Sequence, residues 1–391
     1  MPTVIVATAE TSGRPWFGGW TWVPLQWVLG FARLGVECYW VDRQGAIDPT
    51  KGPMGIDHAI DRFQRMAFDF GFQDRWGVVY NEGERYFGLD AKQLERLVDE
   101  TELLINIGGH LPPDSPLMRV PRRAYVDVDP GYTQIWARQT DIGLDRHNLF
   151  FTVGQNVGRP EFRIPTAPVA WEPILPPIVL DQWPPRIDPG CRRFSTVADW
   201  RGSQCAIFEE EYYGTKREEF IRFLSVPQMA GVRIELALCI GQKDFEDVGL
   251  LDGHDWRVRD PYQYAGDPES YREFIQYSRA EFSVAKRGYV KSQSGWISDR
   301  TACYLASGKP ALVQSTGLEW RLPVGAGLLT FRTPEEAVAG IASINRDYPR
   351  HCEAARRIAE QYFDSDTVLR DILVRADCAL PRSLAGYSRS A

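Results

Sequence analysis

The chain has 391 residues and a formal net charge of −7, from 45 Lys plus Arg and 52 Asp plus Glu. Its length predicts two domains, and 44% hydrophobic with 25% charged residues is ordinary for a folded protein outside a membrane. The acidic balance argues against binding along a nucleic-acid backbone, which needs a basic face. No apolar run reaches the roughly 18 residues that span a bilayer, and residues 1–10 predict a strand rather than a signal peptide.

The cysteines and histidines indicate neither a metal centre nor a disulfide framework. The seven cysteines are scattered and never spaced C-x-x-C, and the five histidines are equally dispersed. We therefore expect a cytoplasmic protein with no metal site and no resident cofactor.

The first half of the chain alternates between strand and helix patterns. Residues 4–7 predict a strand that ends in a polar loop at Glu10, and a helix over about 21–34 follows, closed by Gly35. Further predicted elements are strands at 37–41, 103–107, 124–128 and 149–153, an amphipathic helix at 56–70 and a capped helix at about 91–98. This alternation predicts a parallel sheet covered by helices.

Residues 159–193 hold nine prolines and predict a connection between two domains, because proline resists helices and central strands. The rhythm then restarts, with predicted strands at 194–198, 234–239, 282–285 and 311–313 and helices at 215–224, 269–279 and 298–306. A capping box at 333–336 and two closing helices, at about 350–363 and 366–376, complete the chain. The predicted domains are 1–175 and 176–345, followed by a helical tail at 346–391.

Several nucleotide and hydrolase motifs are absent. The chain has no G-x-x-x-x-G-K-[ST] phosphate loop, no G-x-G-x-x-G after its first strand and no G-x-S-x-G elbow. These absences count against a P-loop kinase, a nicotinamide-dependent oxidoreductase and an α/β-hydrolase.

The most informative segment is 292–314, which predicts a glycine turn, a helix of small residues, a Gly-x-Pro end and a strand. A glycine turn lets the backbone approach a ligand, and the first amides of the following helix then point at an anion. Arg300, in the first turns of that helix, would add a fork to a phosphate.

This segment resembles the donor-binding region of GT-B-fold glycosyltransferases, with their glycine–aromatic turn and later Gly-x-Pro helix end. The pattern around Arg300, Ala306 and Gly308 is also similar to group-1 and CgeB-like members. The resemblance implies an α/β protein of two Rossmann-like domains with a cleft between them and C-terminal helices crossing back. Cys303 stands at or near the place where many members carry a ribose-binding glutamate, so the nucleotide stays open.

The resemblance and the predicted strand ends together give the candidate donor residues. Those expected to bind the diphosphate or the sugar are Arg201, Lys216, Lys286, Ser294, Gly295, Ser298, Asp299, Arg300, Gln314, Thr316 and Gly317. For most of them the alternative is an ordinary turn or a solvated surface charge.

The first domain would present the acceptor side. The loop after its first strand supplies Gly13, Trp16, Gly18 and Gly19, whose glycine and aromatic content suits an acceptor. His110, Glu10 and Asp127 follow predicted strands and are candidate bases, in that order, because histidine titrates near the working pH. Capping of the turn is the alternative role for Asp127.

These observations predict a metal-independent glycosyltransferase that moves a sugar from a nucleotide-activated donor to an acceptor that the sequence does not identify. Two alternatives remain open: a sugar-nucleotide epimerase on the same fold and a catalytically silent sugar-nucleotide-binding protein. The expected partners are a nucleotide sugar and that acceptor, with no membrane span and no nucleic acid. The oligomeric state is open.

Overall fold

The computed structural model describes residues 2–14, 17–47, 55–166, 168–202 and 205–380. Trp16, a predicted acceptor-side residue, lies outside them. Within these residues the chain forms two domains that each contain a mainly parallel sheet with helices packed on it.

The strands of the first sheet are β1 Thr3–Ala9, β2 Glu37–Gln44, β3 Trp76–Tyr80, β4 Arg85–Gly88, β5 Leu103–Ile107, β6 Arg122–Asp127, β7 Leu149–Thr152 and β8 Glu172–Pro173. Their spatial order is β4-β3-β2-β1-β5-β6-β7-β8, and β3 with β4 is the antiparallel pair. The helices of this domain are α1 Gly18–Arg33, α2 Ile56–Asp69, α3 Ala91–Glu100 and α4 Tyr132–Gln139. Residues 4–7 of the central strand β1 are fully buried, as expected for a strand covered on both faces.

The second sheet contains β9 Phe194–Asp199, β12 Ile234–Cys239, β13 Trp256–Arg259, β14 Ala280–Ser283, β15 Ala311–Gln314 and β16 Leu328–Phe331, after a small hairpin of β10 Ala206–Phe208 and β11 Glu211–Tyr213. The order β13-β12-β9-β14-β15-β16 is parallel throughout. Its helices are α5 Lys216–Arg222, α6 Val226–Ala230, α7 Glu246–Asp252, α8 Pro261–Ala265, α9 Pro268–Gln276, α10 Arg287–Ser292, α11 Asp299–Ala306 and α12 Pro334–Arg346.

The C-terminal helices return to the first domain, as the resemblance to GT-B glycosyltransferases implies. Helix α13 (Tyr348–Ile358) leads through a π-helical turn, Ala359–Phe363, into α14 (Ser365–Arg375). The Ile178 amide donates to the Phe363 carbonyl at 2.7 Å, and α14 packs on α1. A Cβ on Gly30 of α1 would stand 2.5 Å from a methyl group of Leu369, so glycine permits that close approach.

The predicted element types hold in both domains, with ends shifted by a few residues. For example, the helix expected at 21–34 begins at Gly18, and the Asp90–Gln93 capping box opens α3. In the described part of the chain, no helix combines the length and apolar character needed to cross a bilayer.

Candidate active site

The carboxyl ends of the two sheets meet at the space between the domains, which we call the cleft. In each sheet the strand order reverses between two neighbouring strands, β1 and β5 in the first and β9 and β14 in the second. A parallel sheet leaves a crevice at such a point, outside the carboxyl ends of the strands. Glu10 and His110 follow β1 and β5, while Arg201 and Lys286 follow β9 and β14.

The loop after β1 is braced by the end of β2. The buried carboxylate of Asp42 accepts hydrogen bonds from the amide and the hydroxyl of Ser12, at 2.8 and 2.6 Å. The Gly13 amide donates to Gln44 Oε1 at 2.7 Å, and Gln44 Nε2 donates to Glu10 Oε2 at 2.8 Å. Glu10 therefore holds the loop through its carboxylate, and Gly13 packs against the Gln44 side chain.

His110 is the histidine that the structure places in the cleft. It follows Gly108 and Gly109, which both have positive φ, 77° and 69°, and its ring lies against Gly108, where a Cβ would stand 2.4 Å from Nε2. The pKa of His110 lies below its usual value, because the cleft walls displace water from the charged ring. Asp129 opposes this shift, Arg43 adds to it and Glu10 opposes it. A neutral imidazole at pH 7 can accept a proton.

Asp127 is a structural carboxylate. It is fully buried and accepts hydrogen bonds from the hydroxyls of Thr133 and Thr152, at 2.6 and 2.7 Å, and from Gln134 Nε2 at 3.0 Å. Burial raises its pKa, and these hydrogen bonds oppose that change. The alternative reading of Asp127 as a capping residue fits these contacts, and a role as base does not.

Asp129 links the two domains across the cleft. Its carboxylate pairs with Lys286 Nζ at 3.0 Å and accepts a hydrogen bond from the Tyr289 hydroxyl. It also lies near enough to His110 to act on the pKa of that ring. Asp129 therefore pairs with a second-domain cation and acts through its charge on the first-domain imidazole.

Lys216 begins α5 and is the most unusual cation of the cleft. It is 6% exposed, and its ammonium has no hydrogen bond or ion pair to another described residue. Burial, together with the nearby charges of Arg300 and Lys286, lowers its pKa to about 7, and Glu281 and Asp199 oppose that change. A buried ammonium without a partner is costly, and two further cations, Arg300 and Lys286, lie near enough to act on this one.

Arg201, which follows β9, is already paired. Its Nε and one terminal nitrogen donate to the two carboxylate oxygens of Asp244, at 2.7 and 2.8 Å. Its backbone amide donates to Asp199 Oδ1 at 3.2 Å. A donor phosphate would have to share this guanidinium with Asp244.

Arg300 is turned into the second domain. The residue is 7% exposed, and Nε donates to Glu281 Oε1 at 2.7 Å. The two terminal nitrogens donate to the Val197 carbonyl at 2.8 Å and to the Ser283 hydroxyl at 2.6 Å. These contacts join the ends of β9 and β14, so they indicate a structural role rather than the phosphate fork that the sequence suggests.

The glycine turns at 295 and 317 are filled by a residue of the first domain. Asn156 is fully buried, and its Nδ2 donates to the Gln293 and Gly317 carbonyls at 2.9 and 3.1 Å. A Cβ on either glycine would stand 2.8 Å from that Nδ2 atom. The Gly295 amide itself donates to the Thr316 carbonyl at 2.8 Å. The close approach that glycine permits here is thus to Asn156, a contact between the domains.

The remaining donor candidates of this segment are buried beside these turns. Ser298 and Gln314 line a cavity of about 10 Å³, which is room for one water molecule. Ser294 is fully buried, and its hydroxyl has no partner among the described residues. Asp299 is half-buried, and burial raises its pKa while Arg300 opposes that change.

The start of α1 also contacts the second domain. A Cβ on Gly18 would stand 2.2 Å from the Asp267 carbonyl oxygen, and a Cβ on Gly19 would stand 2.8 Å from the Tyr271 ring. These two glycines therefore make room for helices α8 and α9, a role that the expectation of an acceptor-facing loop did not include.

Cys303 occupies the place where the resemblance leads us to expect a ribose-binding glutamate. The thiol is 1% exposed, and Gln26 Nε2 of α1 donates to its sulfur at 3.9 Å. Burial raises the pKa of this thiol well above its usual value. A neutral sulfur at this place offers no carboxylate to a ribose.

The described residues contain no group of three or more His, Cys, Asp and Glu side chains arranged to hold a metal ion.

Comparison with solved structures identifies the architecture. An α-glucosyltransferase in complex with UDP matches with a TM-score of 0.61 at 13% identity, over 96% of this chain and 100% of that one. The chain has the GT-B fold. Anabaena HepE in complex with UDP (0.55, 12% identity, 96% and 100%) and the sucrose-phosphate synthase of Thermosynechococcus elongatus (0.51, 11%, 95% and 98%) agree. No family model and no curated protein sequence matches the chain.

Within this GT-B fold, the structure gathers part of the predicted set and adds residues that the sequence did not single out. His110, Lys216 and Lys286 lie around the cleft with Asp129. Asp42, Gln44 and Asn156 brace the loops that shape it. No local motif marks these three, since each acts on a segment distant in sequence.

Proposed function

We propose that the chain is a glycosyltransferase that takes a sugar from a nucleoside-diphosphate sugar and transfers it to an acceptor hydroxyl. The observation that carries this proposal is Lys216, a buried ammonium without a protein partner at the crevice of the second sheet. The GT-B fold supports it, and so do the similar structures that contain UDP or UDP-glucose. They make UDP-sugars the first donors to test.

The charges of the cleft suit the departure of a diphosphate. When the bond from the sugar to the diphosphate breaks, negative charge grows on the leaving oxygen, and fixed cations nearby stabilise it. Lys216 supplies one such cation and Lys286 another, held at the cleft by Asp129. We propose that these side chains carry the charge without a metal ion.

Binding and turnover test the function directly. We expect calorimetry in EDTA to detect UDP and UDP-glucose, and labelled UDP-glucose to be slowly hydrolysed when no acceptor is present. An activity that EDTA abolishes and magnesium restores would contradict metal independence. Conversion of donor alone to an epimer would indicate the epimerase. Binding with no transfer and no hydrolysis would indicate a silent binding protein, and failure of a panel of nucleotide sugars to bind would reject the proposal.

His110 is proposed to accept the proton of the acceptor hydroxyl if the reaction inverts configuration. Replacing His110 with Ala should lower turnover about 10²–10⁴-fold, the usual contribution of general base catalysis. UDP-glucose affinity should stay unchanged, because the imidazole belongs to the first domain. The measurement is steady-state turnover beside calorimetric affinity.

The matched control is His58→Ala on α2, which should leave both quantities unchanged. A retaining enzyme needs no such base, so a His110→Ala variant with full turnover would remove this role from the imidazole. The stereochemistry of the product, read from its anomeric configuration, distinguishes the two cases.

A further inference from the structure

A second cavity lies where the second domain meets the first-domain segment around Arg163, outside the residues proposed to touch the donor. We call it the basic pocket. Its volume is about 380 Å³, within the range of small-molecule sites. The polar residues that line it are Arg163, Glu219, Arg222, Arg287, Lys291 and Gln293.

The basic pocket holds four cationic side chains and one carboxylate. That carboxylate is already used, since Glu219 pairs with Arg222 on the next turn of α5 and accepts a hydrogen bond from Gln314 Nε2 at 2.6 Å. Lys291 is also engaged, with Glu211 at 2.7 Å. Each of these carboxylates is thus already paired with a cation; Lys291 lowers the pKa of Glu211 most, and Arg163 adds to that shift from beyond ion-pair distance.

Arg163 and Arg287 have no side-chain hydrogen bond or ion pair to another described residue. Their backbones are nevertheless fixed. The Arg163 amide donates to the Ser292 carbonyl at 2.9 Å, and the Arg287 amide donates to the Thr215 carbonyl at 3.2 Å. Two chain segments thus bring unpaired guanidinium groups to one cavity, in a protein of net charge −7.

The cations around this cavity repel each other, and an anion bound between them would attract each one and so offset that repulsion. The planar guanidinium presents paired donors that match the oxygens of a phosphate. We propose that the basic pocket binds the phosphate group of a small phosphorylated molecule, independently of the nucleotide sugar. The molecule is either a phosphorylated acceptor or a free anion that regulates the enzyme, and the phosphate chemistry is common to both.

The test measures calorimetric affinity for glucose 6-phosphate and inorganic phosphate at a constant ionic strength of about 0.15 M, which screens long-range charge effects. We expect saturable binding to the full chain and no binding of glucose. The double variant Arg163→Ala/Arg287→Ala should bind at least tenfold more weakly. The control Lys92→Ala/Arg96→Ala removes the same charge from the exposed face of α3 and should bind as the wild type does.

The two sources are separated by a further arm. Tighter binding of glucose 6-phosphate than of phosphate, with transfer of labelled sugar onto it, supports an acceptor, while equal affinity with altered donor turnover supports a regulatory anion. Absence of phosphate binding, or equal losses in both double variants, would overturn the proposal. The Arg163→Ala/Arg287→Ala variant should bind UDP-glucose as tightly as the wild type does. A negative result for phosphate binding can therefore be told apart from a negative result for the proposed transferase activity, on which this proposal rests.

Discussion

Replacing Lys216 with Met should weaken UDP-glucose binding at least tenfold and stabilise the protein without ligand. A charge-assisted hydrogen bond contributes about 1.5–3 kcal/mol, which Met removes. The same change relieves the burial of an ammonium whose pKa falls from 10.5 to about 7. That shift corresponds to at most about 4 kcal/mol at pH 7. Calorimetry and urea denaturation measure the two effects.

The protonation of Lys216 determines how UDP-glucose affinity changes with pH. In the free protein Lys216 is protonated below about pH 7 and loses its proton above it, while a bound diphosphate favours the protonated form. UDP-glucose affinity should therefore be highest below pH 7 and fall by up to about tenfold per pH unit above it. The stability gained by Lys216→Met should shrink as the pH rises from 7 towards 10.5, since the unfolded lysine loses its proton there.

Lys309 supplies the matched control for both measurements. It is a second fully buried lysine, its ammonium has no hydrogen-bond partner in the described part of the chain, and burial lowers its pKa. It stands at the end of α11, away from Lys286 and Arg201. Lys309→Met should also stabilise the protein but leave UDP-glucose affinity and its pH dependence unchanged. Equal loss of affinity in both variants, or unchanged affinity in Lys216→Met, would refute the assignment of Lys216.

Replacing Arg300 with Ala should lower the free energy of unfolding by about 3–5 kcal/mol, the usual cost of breaking a buried ion pair. The change leaves Glu281, which is fully buried, without its cation, and removes the donors to Ser283 and the Val197 carbonyl. Urea denaturation measures the loss. This expectation replaces the sequence-based one, in which the variant weakens nucleotide binding and leaves the fold intact.

Two further variants make the Arg300 result interpretable. The double variant Arg300→Met/Glu281→Gln removes both charges and should recover much of the lost stability, because no uncompensated charge stays buried. Arg119→Ala breaks an exposed pair with Glu95 and should cost about 1 kcal/mol or less. If the Arg300→Ala variant kept native stability but bound UDP weakly, the result would support the role of Arg300 in diphosphate binding instead.

The strand and helix patterns of the sequence predict the architecture of this protein. Alternating strand and helix patterns, the Asp90–Gln93 capping box and the capped start of α12 are local signals, and each agrees with the structure. Short elements without such periodicity were missed, among them β4, β13 and α4, because hairpin pairing and packing decide them. Placing His110 after a strand end also followed from local pattern, since parallel strands carry ligands at their carboxyl ends, whereas Lys216 was suggested by the resemblance alone.

The contacts of the candidate side chains, in contrast, depend on tertiary packing. Arg300 and Lys216 look alike in sequence as cations near helix starts, yet one meets the buried Glu281 and the other meets no partner. The sequence predicts that the turns at Gly295 and Gly317 bind a ligand. In the structure the side chain of Asn156, more than a hundred residues away, packs against both turns. Charge pairing and close packing join residues distant along the chain, and a local pattern holds no information about those distances.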